Sequence, residues 1–232
     1  MSAGHHRNRS KISPEELDRL LSLAPVRRAL AQPYKVDIRH DVPYVGSSSI
    51  DRRTVYLDRH LHSAGQRHGM VWIGAKLTNV RPSIVRHERI EPVIENELGW
   101  PYPRAHLVAT ALEERMVDDP AAYERALRPF IKADEHESLV KVPTDLDIRP
   151  VLAAPVDKTL LNRIIKAQDA QKKPGPSVGY VKKSTHVRQR CGICTMFIPP
   201  EYGGVRCTAV YDDIVDGGYC RLFEAAGKRQ AA

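Results

Sequence analysis

Two groups of residues in this 232-residue chain have the types and spacing to do chemistry. The first is cysteine. Cys191, Cys194, Cys207 and Cys220 are the chain's four cysteines, and they follow the spacing C-x2-C-x12-C-x12-C. Thiols gathered this closely, with none elsewhere to build a disulfide framework, point to metal. Thiolates are soft ligands that suit zinc or an iron–sulfur centre. Zinc ribbons present two tight C-x2-C pairs to one ion. Here only the first pair is tight, and the other two cysteines stand singly on separate loops. A cubane is larger than one ion and can be reached from separate loops. The spacing leans toward a cluster and leaves zinc open.

The second group is His87-Glu88-x-x-Glu91, with His106 following after fourteen intervening residues and Glu113 beyond it. Positions four apart on a helix share a face, which puts His87 beside Glu91. His106 and Glu113 are seven apart and fall on nearly one face of the following helix. A bent helical hairpin would bring His87, Glu91 and His106 around one zinc, with the fourth position left for water and Glu88 as general base. The run is similar to the zinc-peptidase helix of H-E-x-x-H type, with Glu91 in place of the second histidine. An edge strand over Thr54–Asp58 would be a place for a peptide substrate to lie. The bland alternative is a surface ion pair of Glu91 with Arg86 or Arg89. His136-Glu137 shows that His–Glu pairs recur here without other ligands nearby.

The elements that must position these residues are legible in outline. Ser13, Pro14 and Glu16 read as a capping box, and Ile12 with Leu17 as a hydrophobic staple, for a first helix. A second helical turn covers Val26–Ala31. Lys35–His40 and Thr54–Leu61 alternate as strands, Val42–Val45 reads as extended, and Gly46–Ser49 and Asp51–Arg53 as turns. These imply a small antiparallel sheet. Gly69–Ile73 is followed by a polar stretch. Pro82 opens a helix that Gly99 ends, with Pro92 inside it as a bend. Further helices are expected over Arg104–Val117, from Asp119–Pro120 to Lys132, and from an Asp157 cap to Gln168. Lys141–Pro155 reads as irregular, and Gln171–Ser177 (QKKPGPS) as a linker.

The net charge of +8 is unevenly placed. Residues 1–31 hold six basic and three acidic groups, and residues 171–190 hold six basic and none acidic. Residues 32–170 balance at twenty of each. An excess confined to a tail and a linker attracts phosphate without sequence readout, so it does not point to specific nucleic-acid binding. No apolar run approaches a membrane span. Met1–Ser10 is polar and basic, without the apolar region of an export signal, so a cytoplasmic location is expected.

Around the cysteines the sequence reads CGICTMFIPPEYGGVRCTAVYDDIVDGGYCRLFE over 191–224, with Tyr180 eleven residues ahead. This resembles the short high-potential iron–sulfur proteins (HiPIPs). The matching positions are Tyr180, Cys191, Cys194, Phe197, Pro199, Pro200, Cys207, Val210, Ile214, Gly218, Tyr219, Cys220 and Phe223. The resemblance implies a [4Fe–4S] cluster on the four cysteines and one-electron transfer to a redox partner. Tyr180, Phe197, Tyr219 and Phe223, with Ile198, would form a shell that keeps water out and so tunes the potential. Gly218 would let the chain turn beside the last ligand. The whole arrangement also looks like proteins encoded in phage and prophage genomes, which implies virion proteins as partners or a structural role.

The expected fold class is α+β. Residues 1–170 form a mainly helical domain with a small antiparallel sheet, 171–177 a linker, 178–226 a loop-rich HiPIP-like domain, and 227–232 a tail. The expected functions are electron transfer or redox sensing, zinc-dependent hydrolysis by Glu88, or phage assembly with a metal-stapled tail.

Overall fold

The computed structural model describes residues 12–136, 139–149, 158–186, 188–200 and 206–226. The Asp157 cap, Glu137 and the 227–232 tail lie outside the described residues. The class is mixed α+β, with six helices and small sheets among the described residues.

Helix α1 (Pro14–Ser22) starts where the sequence puts it, with the Ser13 hydroxyl accepting the Glu16 N–H at 3.2 Å. Helix α2 (Ala24–Ala31) follows after one residue. Leu17, Leu20 and Val26 from this pair, with Ile12 just ahead of it, pack against Ile90, Val93 and Ile94 of α3 (Arg81–Leu98) and Ala105, Val108, Ala109 and Leu112 of α4 (Tyr102–Glu114). Helix α3 continues through Pro92, whose missing N–H leaves the Glu88 carbonyl without its helical donor. Gly99 ends it at φ +66°, a left-handed conformation in which glycine carries no Cβ penalty. Pro101 then precedes α4, so the two helices form a tight antiparallel hairpin.

The sheet departs from expectation. Strands β1 (Lys35–Asp37), β2 (Gly46–Ser48) and β3 (Thr54–Leu57) lie in the order β1-β3-β2, with β1 parallel and β2 antiparallel to β3. The sheet is therefore mixed, not antiparallel. The reason is that β2's outer edge is taken by the irregular segment: Asp147 N–H donates to the Ser48 carbonyl (2.8 Å) and Ile50 N–H to the Asp145 carbonyl (2.9 Å). β1 is left with β3's free edge. The reading of Val42–Val45 as extended and Gly46–Ser49 as turn is reversed. Tyr44 turns the chain at φ +64°, and the small residues Gly46–Ser48 form a buried strand under α3. A Cβ on Gly46 would meet Ile84 Cγ2 at 2.8 Å and Glu88 Cγ at 3.0 Å, so the small residue serves close helix–sheet contact.

The polar stretch after Gly69–Ile73 is half of a hairpin, β4 (Met70–Ile73) and β5 (Lys76–Asn79), closed at Gly74 with φ +59°. It packs with β3 and with α5 (Pro120–His136), through Val71, Tyr123 and Leu127. The irregular segment around Val142–Ile148 packs under α6 (Lys158–Asp169). Its polar groups are met by buried aspartates: Asp41 accepts the N–H groups of Val140 (3.0 Å) and Lys141 (2.8 Å).

Residues 171–177 do not form a free linker. Lys173–Pro174 is a strand (β6) parallel to β9 (Val210–Tyr211), and Gly175–Val178 is a 3-10 turn packed into the cysteine-bearing part. Gly175 leaves room for the Asp212 carboxylate, whose Oδ2 lies 1.9 Å from where a Cβ would stand. The basic residues here are also paired: Lys172 with Asp169 (2.7 Å), Lys182 with Asp213 and Arg190 with Asp216. Part of the positive excess is thus balanced within the fold.

A Gly46→Ala substitution is expected to destabilise the chain by about 1–3 kcal/mol through overpacking at the α3 contact. Urea unfolding checks it, with a wild-type midpoint as the contrary result.

Candidate metal centres

Helices α3 and α4 place four ionisable side chains in one seam. His87 and Glu91 lie a turn apart on α3, and both are buried. His106 lies in the first turns of α4 and faces them. Its Nδ1 is 2.7 Å from Glu91 Oε2 and 3.2 Å from His87 Nε2, and His87 Nε2 is 3.4 Å from Glu91 Oε2. The structure thus brings together the three residues the sequence singled out. It also removes the surface ion-pair alternative with Arg86 or Arg89, because Glu91 is buried and pairs with His106 and His87. Arg89 lies over the Tyr34 ring at 3.9 Å and donates to the Leu30 and Gln32 carbonyls at the end of α2.

Glu113, two turns along α4 from His106, completes the set. Its Oε2 accepts from His87 Nδ1 at 2.8 Å, and its Oε1 accepts the Tyr123 O–H at 2.5 Å. The Ser83 hydroxyl lies 2.9 Å from the Tyr123 oxygen and donates to the Val80 carbonyl. A carboxylate can only accept, so this pairing places a proton on His87 Nδ1. Sequence reasoning placed Glu113 on the right face without a role and missed Tyr123 and Ser83. Tyr123 had no local signal, because α5 brings it in from beyond the hairpin.

Charge in the seam is mutually set. Burial works against every charge here, yet the hydrogen bonds to Glu113 and Glu91 hold His87 well above the ordinary histidine range. Burial would raise Glu91, and hydrogen bonds from His106 and His87 bring it below the usual carboxylate value. Glu113 is lowered in the same way by His87 and Tyr123. Glu88 differs. Burial pushes its carboxyl up to about 8, against the opposing pull of His87 and with Glu91 and Glu113 adding to the rise. Tyr102 stacks on His106 with ring centroids 5.5 Å apart and its O–H 3.5 Å from His106 Nδ1.

The four cysteines form the other centre. All are buried and none is in a disulfide. Short pieces hold them. Cys191 N–H donates to the Gly218 carbonyl (2.7 Å) and Cys194 N–H to the Cys191 carbonyl (2.8 Å). Cys207 ends β8 (Arg206–Cys207), paired with β7 (Phe197–Ile198) so that Phe197 opposes Cys207. The four side chains line one small cavity with Met196, Phe197, Ile214 and Phe223. Burial pushes the Cys191 thiol up to about 12, with Cys207, Cys220 and Cys194 adding to the rise. Burial raises the Cys207 thiol as well, so a metal would have to displace the protons of these two thiols.

Of the expected shell, Phe197 and Phe223 line the cavity. Tyr219 pairs instead with Phe223 at its edge, ring centroids 6.2 Å apart. Tyr180 packs against the cysteine core and ties the loops, accepting the Val215 N–H (2.9 Å) and donating to the Asp213 carbonyl (3.2 Å). Gly218 serves this tyrosine: a Cβ there would meet the Tyr180 oxygen at 2.7 Å. The chain turns there as expected, with the Gly218 N–H donating to the Val215 carbonyl at 3.0 Å, and the glycine also allows close approach of the ring. Met196 was not anticipated as part of the wall.

Among the described residues, the set of three metal-ligating side chains whose donor atoms all lie within 4.8 Å of one another is His87, Glu91 and His106; no three cysteine sulfurs form such a set. No helix of the described residues is long and apolar enough to cross a membrane. Compared with family models, curated proteins and solved structures, the chain matches none.

Replacing Glu113 with alanine leaves His87 and Tyr123 without their buried acceptor. The expected loss is about 1–3 kcal/mol, read by urea unfolding. Glu113→Gln, which keeps an acceptor oxygen, should lose less. Equal stability of all three proteins would show that the network contributes nothing.

Proposed function

We propose that Cys191, Cys194, Cys207 and Cys220 hold a [4Fe–4S] cluster and that the chain acts in one-electron transfer or redox sensing. The observation that carries this reading is the cysteine cavity itself. Four buried sulfurs face one space whose other walls are Met196, Phe197, Ile214 and Phe223. A tetrahedral zinc with Zn–S bonds of about 2.3 Å needs its sulfurs about 3.8 Å apart. The cage is wider than that, since no three of its sulfurs gather within 4.8 Å. A cubane, with one iron at each of four corners, suits the wider spacing.

The apolar wall bears on the electron. In a dry surround each added negative charge on the cluster is disfavoured, which pushes the cluster toward its more oxidised states. Phe197 and Phe223 supply that dryness, and Tyr180 closes the loops behind them. The buried apolar side chains of this part, Val178, Phe197, Val210 and Ile214, pack around the sulfurs, so the cluster would complete a small core. The HiPIP resemblance supports the same ligands and the same one-electron chemistry.

Anaerobically purified full-length chain should be brown and carry close to four iron and four acid-labile sulfide per protein. Cys207→Ser should lose both the colour and the sulfide. A colourless protein with one zinc per chain and no sulfide would overturn the reading.

A further inference from the structure

We propose that His87, Glu91 and His106 form a second metal centre, separate from the cysteines, that binds one divalent transition ion of the zinc type. The geometry carries it. Bonds of 2.0–2.1 Å from a tetrahedral zinc to nitrogen or oxygen put neighbouring donors about 3.3 Å apart. The three atoms that converge here, His87 Nε2, His106 Nδ1 and Glu91 Oε2, are 3.2, 3.4 and 2.7 Å from one another. Two of these edges already have the spacing of a filled site. The third is a hydrogen bond that opens by about half an ångström when an ion replaces the proton.

The surroundings match a metal ligand's needs. A ligating histidine must offer one bare nitrogen, and the tautomer is set by what its other nitrogen bonds to. Glu113 accepts the hydrogen bond from His87 Nδ1 and is itself fixed by Tyr123, so Nε2 is aimed inward as the nitrogen that an ion would bind in place of a proton. Two imidazoles and a carboxylate form an N2O set, which suits zinc and its neighbours. Glu91 and Glu113 offset the ion's charge in a place where a lone cation would be costly.

The site is reachable from one side. The side chains of His87 and Glu91 are 10% and 6% exposed, but that of His106 is 33% exposed. Glu88 is the neighbour of His87 and packs against Gly46. It is not one of the three converging donors. Its Cγ and Oε1 lie against the Gly46 position of β2, so Glu88 is not counted among the ligands.

The bland reading of the same atoms is a buried histidine pair satisfied by two carboxylates and needing no ion. Cobalt(II) separates the two. Full-length chain with its cysteine centre intact, treated with a chelator and titrated with Co2+, should take up one further equivalent. Its spectrum should show ligand-field bands without the near-ultraviolet band of cobalt–thiolate bonds. Glu113→Gln should weaken uptake about 10–100-fold. His106→Ala should weaken it further, and Glu88→Gln should leave the stoichiometry unchanged. No uptake beyond the cysteines, or equal affinity in wild type and His106→Ala, would overturn the proposal. If His106→Ala does not fold by circular dichroism, Glu113→Gln decides, and unchanged affinity there overturns it.

Discussion

Enclosing four ionisable side chains between two helices is the constraint on which the helical part of this protein depends. A carboxylate or an imidazolium buried alone costs several kcal/mol, and the cost falls only when opposite charges meet with good hydrogen-bond geometry. His87, Glu91, His106 and Glu113 satisfy one another in this way, so the register of α3 against α4 is set as much by the seam as by the apolar contacts around it. Shifting either helix by one residue would break every pair at once. Gly99 and Pro101 make that register reachable by closing the hairpin in a few residues.

The cysteine part answers a different constraint. Its buried apolar side chains, Val178, Phe197, Val210 and Ile214, gather around the four cysteines, and at Gly218 the Tyr180 ring comes too close for a side chain. Short backbone bridges, such as those of Val181 with Tyr219 and Cys194 with Ala225, tie distant loop segments without building a sheet of any size. Such a scaffold has its sulfurs, and not its hydrocarbons, at the centre.

Much of this was legible where local chemistry decides the outcome. The Ser13 cap, the Gly99 stop and the i, i+4 pairing of His87 with Glu91 follow from short-range rules and appear as read. The sheet was misread because its order depends on a partner a hundred residues away: Asp145–Asp147 covers the edge of β2, which no window around Gly46 reveals. The small, polar run Gly46–Ser48 suggests a turn until α3 is known to press on it. Tyr123 was invisible for a similar reason, since its hydroxyl matters only once α5 folds back onto Glu113. Lys173–Pro174 looked like spacer because its partner strand lies beyond three of the cysteines' loops.

Gln168 is fully buried at the end of α6, and it is bound on both sides of its amide. Its Nε2 donates to the Pro143 carbonyl at 2.7 Å, and its Oε1 accepts from Arg206 Nη1 at 2.9 Å, next to Cys207. The Pro143 segment in turn runs along β2, the strand on which Glu88 rests. One uncharged side chain therefore rivets the two halves of the molecule together. Oxidative damage at the cysteines would loosen the Arg206 strand, strip the amide of a partner, and reach the histidine helices as lost cooperativity, without any electron or ion passing between them.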